Sequence, residues 1–160
     1  MKKIRVKMAD LNVGKEDDIL ITSGLGSCVG IALYDSRTKV GGLAHIMLPK
    51  APNNRKNNNP AKYADTAIRL LLDELERARA SKRRLVAKIA GGAQMFKFDN
   101  ANSQMQIGAR NAEAVKEILK KEKIKLLAED VGKDYGRTME FHLKDNKVLI
   151  KTVKGEDQVL

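Results

Sequence analysis

Residues 28–48 read Cys28-Val29-Gly30-Ile31-Ala32-Leu33-Tyr34, then Asp35-Ser36-Arg37-Thr38-Lys39, then Val40-Gly41-Gly42-Leu43-Ala44-His45-Ile46-Met47-Leu48. Two apolar runs of strand length enclose a polar turn, and Pro49 closes the second run. This pattern predicts a β-hairpin with Cys28 on one arm and His45 on the other. Upstream, residues 4–8 alternate apolar and polar side chains, and residues 18–22 form a second short strand pattern. Between that pattern and the hairpin, Ser23-Gly24-Leu25-Gly26-Ser27 reads as a turn with two glycines.

Downstream, residues 52–59 are polar and Asn-rich and predict a loop. Asn59-Pro60 is a helix start, because Asn caps well and Pro suits the first helical position. Ala64, Ala67, Ile68, Leu71, Leu72 and Leu75 recur at helical spacing, which predicts a helix over 60–79. A strand over 85–90 is broken by Gly91-Gly92, and residues 99–106 are a second polar loop. A second helix over 109–123 carries Ala114, Val115, Ile118 and Leu119 as its apolar stripe. Strands follow over 124–129, 137–142 and 147–153, the last two joined by a tight turn at Asp145-Asn146. Strands at both ends with two helices between predict an α+β fold rather than a regular βαβ alternation.

The 160 residues suit a single domain spanning 1–160. One cysteine excludes an internal disulfide framework, and with only two histidines the usual zinc ligand sets go unfilled, so no metal is expected. No apolar run approaches the ~20 residues of a membrane span, and the first seven residues mix charge into their apolar positions. The expectation is a reduced, cytoplasmic protein without membrane insertion. Lysine and arginine exceed the acidic residues to a net charge of +11, which suits either an acidic partner or simply a well-solvated surface. Aromatics at 4% and the absence of Trp argue against a single-strand nucleic-acid binder, which needs stacking platforms.

Cys28 reads either as a small buried hydrophobe or as a nucleophile. The glycine turn before it lets backbone N–H groups approach a ligand, which makes Gly26 and Ser27 candidates for holding an oxyanion. His45 reads either as a buried histidine bonded to backbone or as the base that takes the thiol proton, in which case the cysteine titrates below its reference of about 8.5. Thr22 could fix the imidazole tautomer, though spacing does not select it over Ser23 or Ser27. His142 has no glycine turn beside it and ranks second. The apolar stretch Met95-Phe96-Lys97-Phe98 is either core or, through Met95, Phe96 and Phe98, an anchor for a partner protein.

The segments Thr22-Ser23-Gly24-Leu25-Gly26-Ser27-Cys28-Val29 and Gly41-Gly42-Leu43-Ala44-His45-Ile46-Met47-Leu48-Pro49 resemble the CheD family of chemoreceptor glutamine deamidases. The resemblance continues through Lys88-Ile89-Ala90-Gly91-Gly92-Ala93-Gln94-Met95-Phe96, Ile107-Gly108-Ala109-Arg110-Asn111 and Gly136-Arg137-Thr138. It implies an α/β sandwich of mixed sheets flanked by helices, related to the deamidating cytotoxic necrotizing factors. It implies a catalytic Cys-His-Thr set, which falls on Cys28, His45 and Thr22. The reaction it implies is protein-glutamine glutaminase chemistry through a thioester, extending to glutamyl methyl esters, with no cofactor. The partners it implies are the cytoplasmic domains of chemoreceptors and CheC, the phosphatase of the response regulator CheY; nucleic acid is not among them. The alternative is a non-catalytic adaptor that binds receptors or CheC.

Overall fold

The structure, a computed structural model, describes residues 1–53, 59–95, 106–153, 155 and 157–160. The elements in chain order are β1 (Lys3–Arg5), β2 (Asp10–Lys15), β3 (Ile19–Leu25), β4 (Val29–Asp35), β5 (Val40–Ile46), α1 (Ala64–Arg77), β6 (Val86–Gly91), α2 (Ile107–Lys121), β7 (Lys125–Val131), β8 (Arg137–His142), β9 (Lys147–Lys151) and β10 (Gln158–Val159). They build two five-stranded sheets, ordered β1-β3-β8-β9-β10 and β2-β5-β4-β6-β7. Both sheets are mixed: β1 runs parallel to β3 and β6 parallel to β7, while the other pairs are antiparallel.

The predicted hairpin is the centre of the molecule. Every residue of β4 and β5 is buried, which explains why both runs are apolar without alternation. Val29, Ile31 and Leu33, with Ala44 and Ile46, face the helices and pack on Ile68, Leu71 and Leu75 of α1 and on Val115 and Leu119 of α2. The intervening Ala32, Tyr34 and Leu43 face the other sheet, against Leu20, Leu25, Met139, Phe141, Val148 and Ile150. The result is a sheet–sheet–helix sandwich, with both helices on the same outer face. The α+β sandwich of mixed sheets flanked by helices is therefore the observed architecture. The outer sheet needs only one apolar face, and β8 accordingly alternates buried and half-buried residues.

Four departures from the sequence reading have local causes. The segment Asp10–Lys15 is an additional strand, antiparallel to β5, with Leu11 and Val13 packed on the helix-side core. The first helix does not begin at Pro60: a short 3-10 turn, Pro60–Lys62, is capped by Asn59, whose side chain accepts from the Ala61 N–H. Tyr63 is then extended because it bridges to Leu48, and the Lys62 carbonyl receives the N–H groups of both Met47 and Leu48. The glycine turn is partly strand: β3 runs on through Ser23 and Gly24 to Leu25 by way of a β-bulge opposite β8. Finally, β10 adds a short edge pairing to β9. Most of the Asn-rich loop, residues 54–58, and most of the second polar loop lie outside the described residues.

Candidate active site

Thr22 and His45 come from different sheets and meet in the buried layer between them. On β5, alternation turns Gly41, Leu43 and His45 toward the outer sheet, while on β3 the bulge follows directly after Thr22. Both residues are fully buried. Thr22 Oγ1 lies 2.7 Å from His45 Nδ1 and donates its own hydrogen to the Val6 carbonyl at 2.7 Å. A hydroxyl has one hydrogen to give. With that hydrogen committed to Val6, Thr22 can only accept from the ring, so Nδ1 carries the proton and Nε2 carries the free lone pair. Nε2 is buried and has no hydrogen-bond partner among the described residues. Burial holds the imidazole down at about 4, so His45 is neutral near pH 7.

Cys28 sits one residue before β4, whose Gly30 pairs with His45. Continuing that register places Cys28 opposite Met47, on the same face as His45 and diagonal to it. It is 6% exposed, whereas Thr22 and His45 are both at zero, so Cys28 is the member of the trio with access to solvent. Burial pushes its thiol up, against a smaller opposing pull from its own backbone N–H. The expected depressed thiol is therefore not the resting state. Both groups are buried in an apolar layer, and each is pushed toward its neutral form.

Three donors fasten the loop that carries Cys28. Ala93 N–H binds the Gly26 carbonyl at 2.8 Å, Asn111 Nδ2 binds the Ser27 carbonyl at 2.9 Å, and Gly92 N–H binds the Cys28 carbonyl at 2.8 Å. Gly91 must be glycine here: its φ is +114°, and an added Cβ would stand 2.2 Å from the Cys28 carbonyl oxygen. Gly26 differs from expectation as an oxyanion donor, because its N–H is turned back onto the Gly24 carbonyl at 3.0 Å. The N–H groups of Ser27 and Cys28 carry no other residue's acceptor among the described residues. Met95 is half exposed and lies against Gly26; Phe96 and Phe98 fall outside the described residues. His142 lies apart, paired with Lys147 on β9 and near Glu140.

Two residues escaped the sequence reading of the site. Asn111 is fully buried on α2 and also donates from Nδ2 to the Met47 carbonyl at 2.9 Å. The signal was a polar residue continuing the stripe of Val115 and Leu119 at a spacing of four. Arg137 is buried too; its Nε binds Asp130 at 3.0 Å and its Nη1 reaches the Gly91 carbonyl at 3.4 Å, bracing the strand end beside Cys28. No three His, Cys, Asp or Glu side chains gather as a metal-ligand group among the described residues, and no helix is long and apolar enough to cross a membrane.

Comparison with known proteins gives this arrangement a family. Residues 47–152 match the family model described as CheD chemotactic sensory transduction. That stretch begins after His45, so the residues that carry the match are not those of the trio. Matches to whole proteins extend over nearly all of the chain. A protein named "Probable chemoreceptor glutamine deamidase CheD" from Clostridium botulinum strain Hall is 54% identical over 153 residues, 96% of this chain and 94% of the relative. One of the same name from Caldanaerobacter subterraneus subsp. tengcongensis is 51% identical over 152 residues, 95% of this chain and 94% of the relative. With more than half the chain matched by the family model and such relatives aligned nearly end to end, the chain belongs to the CheD family.

Proposed function

We propose that the protein is a chemoreceptor glutamine deamidase acting as one catalytic domain in the cytoplasm. The observation that carries the reading is the Val6–Thr22–His45 chain of hydrogen bonds, which leaves Nε2 as a lone-pair base on the same face as the chain's single thiol. Cys28 Sγ attacks the side-chain carboxamide carbon of a receptor glutamine while its proton passes to His45 Nε2. The N–H groups of Ser27 and Cys28 receive the oxyanion. An imidazolium held at low pKa by burial is a strong acid. It gives the proton readily to the departing nitrogen, so ammonia leaves and a thioester remains. Water, deprotonated by His45, then attacks the thioester carbon; the C–S bond breaks, glutamate forms and the thiol is restored. A glutamyl methyl ester passes through the same steps with methanol as the leaving group. No step calls for a metal or an organic cofactor.

The names of the relatives support chemoreceptors as the substrate, and the +11 charge suits an acidic helical surface. CheC is the second proposed partner. The test is mass spectrometry of a receptor cytoplasmic fragment incubated with the protein. Each converted glutamine adds about 1 Da, and Cys28→Ala should slow the conversion about a thousandfold or more without unfolding the chain. A fragment that binds but gains no mass would assign the protein to the adaptor role instead.

A further inference from the structure

We infer that Asn111 is a positioning residue that sets the direction of the Ser27–Cys28 peptide and thereby builds the oxyanion site; this rests on the deamidase reading. The β4–β5 ladder ends with the pair Val29 and Ile46. Cys28 turns its carbonyl to Gly92 on the other side, so the next rung falls to Ser27 and Leu48, and it is not made, since Leu48 N–H turns to the Lys62 carbonyl. A side chain replaces the missing rung. Asn111 Nδ2 reaches both strands at once, donating to Ser27 O and Met47 O at 2.9 Å each. It is fully buried, and its Oδ1 has no hydrogen-bond partner among the described residues. A buried acceptor left unpaired is costly, so the amide holds this orientation for the sake of its two donations.

The peptide bonds here are trans. In a trans peptide the C=O of one residue and the N–H of the next point in opposite directions. Drawing the Ser27 carbonyl toward α2 therefore aims the Cys28 N–H away from α2. The Ala93 N–H does the same one peptide earlier, drawing in the Gly26 carbonyl and turning out the Ser27 N–H. Two adjacent N–H groups are left pointing away from their anchors beside the thiol. Asn111 also ties this peptide to the strand that carries His45, two residues before Met47, so one side chain fixes the nucleophile loop relative to the base.

The test compares Asn111→Asp and Asn111→Ala with the unaltered protein on a glutamine-bearing receptor cytoplasmic fragment. Aspartate has the same shape but offers an acceptor to two carbonyls, so the peptide should turn its Cys28 N–H toward it. We expect kcat to fall about a hundredfold, the scale of one lost oxyanion donor, with KM within about threefold. The chain's single cysteine makes [15N]cysteine labelling give one backbone amide signal. That signal should move in Asn111→Asp while cooperative melting is retained. Should either variant lose its cooperative melt, Asn111→Ser, which keeps a hydroxyl donor, carries the same two measurements. Wild-type kcat or an unmoved Cys28 amide in a folded variant overturns the assignment. A shifted amide together with an unaltered protein that deamidates nothing would instead defeat the deamidase reading and leave the peptide-holding role of Asn111 standing.

Discussion

Thr22→Val is the sharpest probe of the site, because valine fills the threonine volume and removes only the hydroxyl. Two buried groups then lose their partner at once: the Val6 carbonyl and the His45 Nδ1–H, each held at 2.7 Å. A buried polar group left unsatisfied costs about 1–3 kcal/mol, so the pair costs about 3 kcal/mol with partial relaxation. For a chain of this size that lowers the melting temperature by about 6–12 °C. The effect on turnover is separate. Without its acceptor the ring no longer prefers the Nδ1–H tautomer, and the lone pair at Nε2 is lost whenever the proton moves there. A histidine base held in the wrong tautomer costs up to about 10⁴ in kcat in the best-studied triads, and about 10²–10³ is expected here. Thr22→Ser keeps both hydrogen bonds and should keep most of the activity. The assay is deamidation followed by mass spectrometry, with thermal melting of the same samples. Thr22→Val turning over within about threefold of the unaltered protein, alongside the expected drop in melting temperature, would make Thr22 a structural residue and refute the tautomer argument.

Three further outcomes follow from the same geometry. The iodoacetamide alkylation rate of Cys28 should climb with pH through the neutral range, about tenfold per unit, because burial raises the thiol and holds His45 near 4; a plateau from pH 5 upward would reveal a resting thiolate–imidazolium pair. Gly91→Ala should abolish turnover, since its Cβ would stand 2.2 Å from the Cys28 carbonyl oxygen, whereas Gly132→Ala, also at positive φ but with nothing within 4 Å, should lose only a little stability; equal activities in the two variants would detach Gly91 from the nucleophile loop. Asp35 is fully buried, and although burial alone would raise its carboxyl, hydrogen bonds from Arg84 and from the Ser81 and Arg37 N–H groups hold it well below the usual carboxylate range. Its stabilisation is complete above about pH 4 and is lost as pH falls through the depressed folded value, so Asp35→Asn should flatten acid unfolding below that pH; an unchanged acid limb in urea titrations would refute the role.

The central hairpin was legible because burial on two faces leaves no room for polar positions, and both arms show it. Cys28 and His45 were legible as neighbours for the same reason, since a five-residue polar turn fixes the pairing. The partition into two sheets was not. Nothing local in residues 18–35 says that β3 joins β8 while β4, a few residues on, joins β5 and β6; that choice is made by cross-chain packing on Phe141 and Met139. The Thr22–His45 bond, which crosses between the sheets, was one option on spacing, which did not select Thr22 over Ser23 or Ser27, and only the family resemblance singled it out. The strand Asp10–Lys15 shows a weak alternation at Leu11 and Val13, diluted by Gly14 and two charged ends. The break at Tyr63 is imposed by the Leu48 bridge, a contact remote in sequence that overrides helix propensity. The thiol's shift went the opposite way because the depth of the interlayer, unlike the presence of a histidine, leaves no mark on the local pattern.

The bulge in β3 acts as a phase shifter. Thr22 and Leu25 are both buried although they are three residues apart, a spacing that a regular strand would send to opposite faces. The ladder absorbs the difference by setting Thr22 against Met139 and Leu25 against Arg137, three steps on one strand for two on the other. Ser23 and Gly24 are therefore spare length: removing either would restore a flush ladder with both flanking residues still facing inward. The core would not register the loss, and with Leu25 still opposite Arg137 the three residues on to Cys28 would keep their length. Within β3, a segment buried along most of its length, the bulge is a length buffer: a residue gained or lost there is taken up before Leu25 and leaves the position of Cys28 and the packing of both flanking side chains as they are.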